Sequence, residues 1–221
     1  MKRAAISVPL TAAFMAVEGV LYLAFLTLDI SGRGGETLWL KYAGILLCLA
    51  FAFFCTLHGG DRLVAPALLF TAGADWFLLI QNDHLILGVV LFLCVQALYF
   101  LRLRRAGGSR KLLWLRLALA VILISAPLLI PGMNTPLNLL AMLYFSQLLS
   151  NTVLAWTLPS MRTFALGLTL FVGCDVCVGL FNAFPLPSAL SAVVSVGMWF
   201  FYLPSQVLIA LSAHSKGGDP Q

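Results

Sequence analysis

Apolar residues come in eight long blocks separated by short polar breaks. The blocks cover about residues 6–30, 38–57, 63–80, 85–101, 112–130, 137–158, 164–183 and 189–213. Each falls in the range of ~20 residues that an α-helix needs to cross the hydrocarbon core of a bilayer. Strands of a membrane barrel would alternate polar and apolar residues over shorter segments, and these blocks do not alternate. The breaks carry turn residues: Gly32, Gly34 and Gly35 in the first, Gly59 and Gly60 in the second, Gly107 and Gly108 in the fourth, then Pro131, Pro159, Pro185 and Pro187. The expected fold is all-α, a polytopic membrane bundle of about eight transmembrane helices, with residues 1–221 forming a single transmembrane domain.

Composition agrees. Hydrophobic residues make up 62% of the chain and charged ones 10%, where a soluble domain carries ~25% charged. The first block follows Met1-Lys2-Arg3, as a signal peptide would. It is too long for one, holds Glu18, and is closed by no Ala-x-Ala site.

Basic residues fix an orientation. With the N-terminus inside, the inner segments hold Lys2, Arg3, Arg62, Arg102, Arg104, Arg105, Arg110, Lys111, Arg162 and Lys216, and the outer ones Arg33 and Lys41. Arg116 lies in span five close to the inner end. This satisfies the positive-inside rule and puts both termini in the cytoplasm. The expected location is the plasma membrane. The net charge of +5 resides in short loops between spans, so it is no signal for nucleic acid. Cys48, Cys55, Cys94, Cys174 and Cys177 all lie in apolar blocks and imply no disulfide framework.

Against this background the acids inside the spans stand out. Asp75 in span three and Asp175 in span seven both follow Gly-x, and Glu18 sits in span one. A carboxylate at mid-bilayer costs at least ~2.5–3.5 kcal/mol on insertion scales, which makes it a functional-site hypothesis by default. The alternative is a hydrogen-bond anchor between helices. Spans one, three and seven run the same way, and at ~1.5 Å per residue all three acids fall ~17–18 Å from the inner face. Three acids in one layer suggest a shared interior chamber. Other spans carry polar stripes at helical spacing: Gln96 and Tyr99; Tyr144, Gln147 and Asn151; Ser195, Trp199, Tyr202 and Gln206; Glu18 and Tyr22.

Five features in order, Gly-x-Asp75, Gln96-Ala-Leu-Tyr99, Tyr144, Gly-x-Asp175 and Tyr202-Leu-Pro-Ser-Gln206, make the chain resemble the YhhN-like membrane family, which includes the lysoplasmalogenases. That family's pattern has Gly-Asp, His then Tyr, Ser-Asp and Tyr-x-x-x-Gln on its corresponding spans. Here Ala74 replaces the Gly, Gln96 the His and Cys174 the Ser, and Tyr42 follows Lys41 where the family has Pro. Glutamine cannot exchange a proton as imidazole can. If the family His is an acid or base, activity changes here. If it positions substrate, Gln96 can substitute.

The resemblance implies hydrolysis of the vinyl ether bond of a lysoplasmalogen or a related lysolipid, releasing a fatty aldehyde and a glycerophospho-alcohol. That chemistry needs a carboxylic acid that can protonate carbon and a second carboxylate that steadies the oxocarbenium ion and orients water. Asp75 and Asp175 are the catalytic candidates, with the two roles unassigned between them. Lys41, Gln96, Tyr99, Tyr144, Tyr202, Gln206 and Glu18 are the substrate-binding candidates, with Lys41 near the outer interface where a lipid phosphate would lie. The expected partner is a membrane lipid or lysolipid. No cofactor is called for, and the sequence defines neither a protein partner nor an oligomeric state. A zinc hydrolase would need several ligands at one site, whereas His58, His84 and His214 lie at span ends on different sides. The non-enzyme alternative is a small transporter or lipid-binding protein, favoured by the weak repeat of spans three and four in spans seven and eight.

Overall fold

The computed structural model describes residues 8–109 and 112–214. Lys2, Arg3, Arg110, Lys111 and Lys216, which entered the orientation argument, lie outside the described residues. The described chain is a bundle of eight helices: α1 (Val8–Ile30), α2 (Leu38–Leu57), α3 (Val64–Asp75), α4 (Leu85–Arg105), α5 (Leu112–Leu129), α6 (Pro136–Trp156), α7 (Arg162–Ala183) and α8 (Ser188–Leu211). Seven stretches, α3 being extended by the turn that follows it, are long and apolar enough to cross a bilayer. The apolar part of α5, Leu113–Leu129, is shorter. Large apolar side chains such as Leu23, Trp114, Leu129 and Val193 point outward and exposed, as they must where lipid is the solvent. This is a multi-pass membrane protein.

Local chemistry sets several helix ends. Thr135 caps α6, accepting from the Asn138 amide, with Pro136 at the first helical position. The fourth helix runs one turn further than the apolar block ending at 101, because Arg102, Leu103, Arg104 and Arg105 are all good helix formers. Arg102, Arg104 and Arg105 are therefore helical rather than in a basic loop. Gly107, with φ +95°, then turns the chain. The third span changes pitch. Trp76–Gln81 is π-helical, starting at the residue after Asp75. Such wide turns appear mostly as short insertions, often at functional sites.

Helices α2, α3, α4, α6, α7 and α8 pack in a closed succession, with α1 against α2 and α8, and α5 against α6. The tightest seam joins α7 and α8. A Cβ on Gly167 would stand 3.0 Å from the Ser205 carbonyl oxygen and 2.9 Å from Ile209 Cγ1, so the missing side chain lets the two backbones meet. On α8, Pro204 has no amide hydrogen, which frees the carbonyl one turn back at Phe200. The Tyr22 hydroxyl of α1 donates to that oxygen at 3.2 Å. A proline in α8 thus supplies an acceptor that docks α1.

Candidate functional site

The six-helix succession turns Asp75, Tyr99, Tyr144, Asp175, Tyr202 and Gln206 into its interior. The Tyr202 hydroxyl of α8 lies 2.9 and 2.7 Å from the two carboxylate oxygens of Asp75 on α3, and donates to them. Asp75 is buried and lies within electrostatic reach of Asp175 on α7. Asp175 is only half-buried as a residue, yet its Oδ2 atom is enclosed without a hydrogen-bond partner. The Tyr144 hydroxyl faces Asp175 but falls outside hydrogen-bond geometry. The Tyr99 hydroxyl likewise faces Thr71 without closing a bond. Phe171, 5.4 Å from the Tyr202 ring and 6.5 Å from that of Tyr144, forms the apolar side of the cluster. Buried polar atoms are paired in the great majority of cases. The unpaired oxygens of Tyr99, Tyr144, Asp175 and Gln206 therefore mark this layer as polar ground not fully satisfied by the protein itself.

Gln96 is oriented by α6. Asn151 Nδ2 donates to both the backbone oxygen and Oε1 of Gln96, each at 2.9 Å, while Gln96 Nε2 is left buried and unpaired. Asn151 Oδ1 in turn accepts from Arg116 of α5 at 2.8 Å. Gln206 donates to Ser205 at 3.1 Å, and Gln147 bonds to Ser146 at 3.0 Å.

Two candidates occupy other ground. Glu18 is buried against α2, where Cys48 Sγ donates to its Oε1 at 3.3 Å and the bare face of Gly44 makes room for Oε2. Its contacts are with α2 rather than with the aspartate pair. Lys41 does not point to open interface. Its ammonium pairs with Asp29 at 2.8 Å, both side chains buried, and lies 5.1 Å from the Trp199 ring. Thr37 adds a 2.9 Å bond to the same carboxylate. Asp29 closes α1 and Lys41 opens α2, so a short loop brings opposite charges together. An acid in the last turn of one span and a base in the first turn of the next was the available signal.

Removing one member of such a buried pair strands the other charge, at ~3–5 kcal/mol. Lys41→Met is expected to lose about that much stability, and Lys41→Met/Asp29→Leu to recover most of it. Thermal unfolding in detergent would measure both. A double variant no more stable than the single one would refute the pairing as the role of Lys41.

Fold and site together define a polytopic α-helical membrane protein with a carboxyl pair and tyrosines set inside the bundle. Residues 36–213 match the family model described as the YhhN family, and the chain belongs to that family. Comparisons with curated proteins and with solved structures gave no match.

Proposed function

We propose that this chain is a hydrolase of the cell membrane that cleaves the vinyl ether bond of a lysoplasmalogen or a related lysolipid. The observation that carries this reading is the carboxyl pair. Asp75 is buried and holds the Tyr202 hydroxyl on its oxygens. Beside it Asp175 is partly open, with one oxygen free of partners. An ionised carboxylate is an acceptor only, whereas a protonated one donates.

Asp175, whose Oδ2 is not engaged by any hydrogen-bond partner, is the acid. It gives its proton to the outer vinyl carbon, and the double-bond electrons form the new C–H bond. The adjacent carbon becomes an oxocarbenium ion. Asp75, held by Tyr202, takes a proton from the water that attacks this cation, which yields a hemiacetal. Collapse of the hemiacetal breaks its bond to the glycerol oxygen. The leaving glycerol oxygen takes the proton that Asp75 drew from water, and the hemiacetal hydroxyl gives its own proton to Asp175. Fatty aldehyde, which keeps the first Asp175 proton on carbon, and glycerophospho-alcohol leave with both carboxyl groups back in their starting states. Tyr144, facing Asp175, and Gln96, fixed by Asn151, are the groups placed to orient the lipid. Because the Gln96 side chain is held at Oε1 by Asn151 and has no proton to exchange, its part is positional.

The test is a panel of lysolipids offered to purified protein in detergent: vinyl-ether, alkyl-ether and ester forms with choline and ethanolamine head groups. Aldehyde release from the vinyl-ether lipids alone is the expected result. Silence across the panel from folded protein would overturn the hydrolase and leave a binding or transport role for the same layer.

A further inference from the structure

Each cation inside the bundle raises the question of what balances it. Lys41 is balanced by Asp29 and Arg102 by Asp61. Arg116, on the second turn of α5, has no carboxylate partner among the described residues. Its Nε is buried and unpaired. Its guanidinium is nevertheless held in place, stacked over the Phe100 ring at 4.0 Å and donating to Asn151 at 2.8 Å. It borders a small cleft between α4, α5 and α6, lined also by Ser150 and Leu154. A fixed, half-buried guanidinium with no carboxylate partner among the described residues can take an anion, and its planar fork suits phosphate oxygens.

We infer that Arg116 and Asn151 form a phosphate-binding subsite beside the carboxyl layer, for the phosphate of a lysolipid or for the free anion. As a statement about substrate the inference rests on the hydrolase reading. Dimensions support the lipid source. On α6, Asn151 holds Arg116 and Tyr144 faces Asp175, two turns away, a rise of ~10 Å. An extended glycerol with ordinary ~1.5 Å bonds places phosphorus ~9 Å from the vinyl carbon that receives the proton. A lipid with its phosphate on Arg116 is thus long enough for its ether bond to reach the level of the aspartates. Asn151 also ties Arg116 to Gln96, so phosphate binding and the orientation of Gln96 share one residue.

Binding can be measured without turnover, using full-length protein in a maltoside detergent that carries no phosphate. The probes are a 1-O-alkyl lysophosphocholine, the matching 1-O-alkylglycerol, and inorganic phosphate. Arg116→Gln is expected to weaken the lysophospholipid by roughly 10- to 100-fold, as for a lost charge-assisted contact, and to leave the alkylglycerol unchanged. Arg116→Lys should recover part of the loss. Loss confined to the lysophospholipid assigns a lipid phosphate. Binding of inorganic phosphate that also disappears in Arg116→Gln assigns the free anion. Equal weakening of the alkylglycerol would mean a structural residue, and unchanged affinity for every probe would mean no subsite; either overturns the inference. Phosphate-dependent binding by a protein that hydrolyses nothing would sink the hydrolase and leave the subsite standing.

Discussion

Asp75→Asn and Asp175→Asn are each expected to lower aldehyde release from a vinyl-ether lysolipid by about 10²–10⁴-fold, the range for loss of a positioned acid or base. The amide matches the carboxyl in size and can still accept from Tyr202 at position 75, so packing survives while proton transfer does not. The two losses should not multiply. An acid and a base serving one transition state act as a unit, and the double variant should be hardly slower than the worse single one. Tyr202 supplies an internal contrast. Tyr202→Phe keeps the ring against Phe171 and Trp199 and removes only the hydroxyl that orients Asp75, so its loss should be the smaller. Rates per folded molecule, with melting curves alongside, make the check. Hydrolysis retained by either aspartate variant would end the assignment of that residue.

The spans were legible because length and hydropathy are one-dimensional signals. Blocks 137–158 and 164–183 lie within two residues of α6 (Pro136–Trp156) and α7 (Arg162–Ala183). The π turn after Asp75 was not, since hydropathy is blind to pitch and Trp76–Gln81 is as apolar as any helix. Within the site, the aspartates and tyrosines were legible because a polar residue in an apolar block is rare and costly. The direction in which each residue faces around the bundle was not legible. Glu18 falls on the same side of the span count as Asp75, yet its helix lies outside the main succession and turns it to Cys48. Charge pairing was the least legible. Asp29 and Lys41 face each other across a turn, and Arg116 finds its partner Asn151 on another helix. The first pair left a local trace in the nearness of two helix ends, but the second depends on helix rotation, which a single sequence does not encode visibly.

Arg102 shows how far one side chain can escape such a reading and still dominate stability. As a number it is one more inner arginine. In space it is fully buried, with Nε 2.7 Å from Asp61 of the α2–α3 loop and its two terminal nitrogens 2.8 and 2.7 Å from Ser212 Oγ and O at the end of α8. Its guanidinium also lies 4.4 Å from the Phe164 ring of α7. One residue of α4 therefore fastens three other parts of the bundle where α4 ends. The loop can reach it because a Cβ on Gly60 would stand 2.6 Å from the Ala213 oxygen, and the same carbonyl receives the Asp61 amide at 2.9 Å. Arg102→Leu strands the Asp61 carboxylate in this dry setting, and the expected loss is about 3–5 kcal/mol. Arg102→Leu/Asp61→Leu should be less damaging than the two single losses added together, since the stranded charge is gone as well. Reversible unfolding in detergent across this cycle would decide it. A single-variant loss under about 1 kcal/mol, the usual worth of an exposed pair, would show that the clamp holds nothing the helices do not already hold by packing.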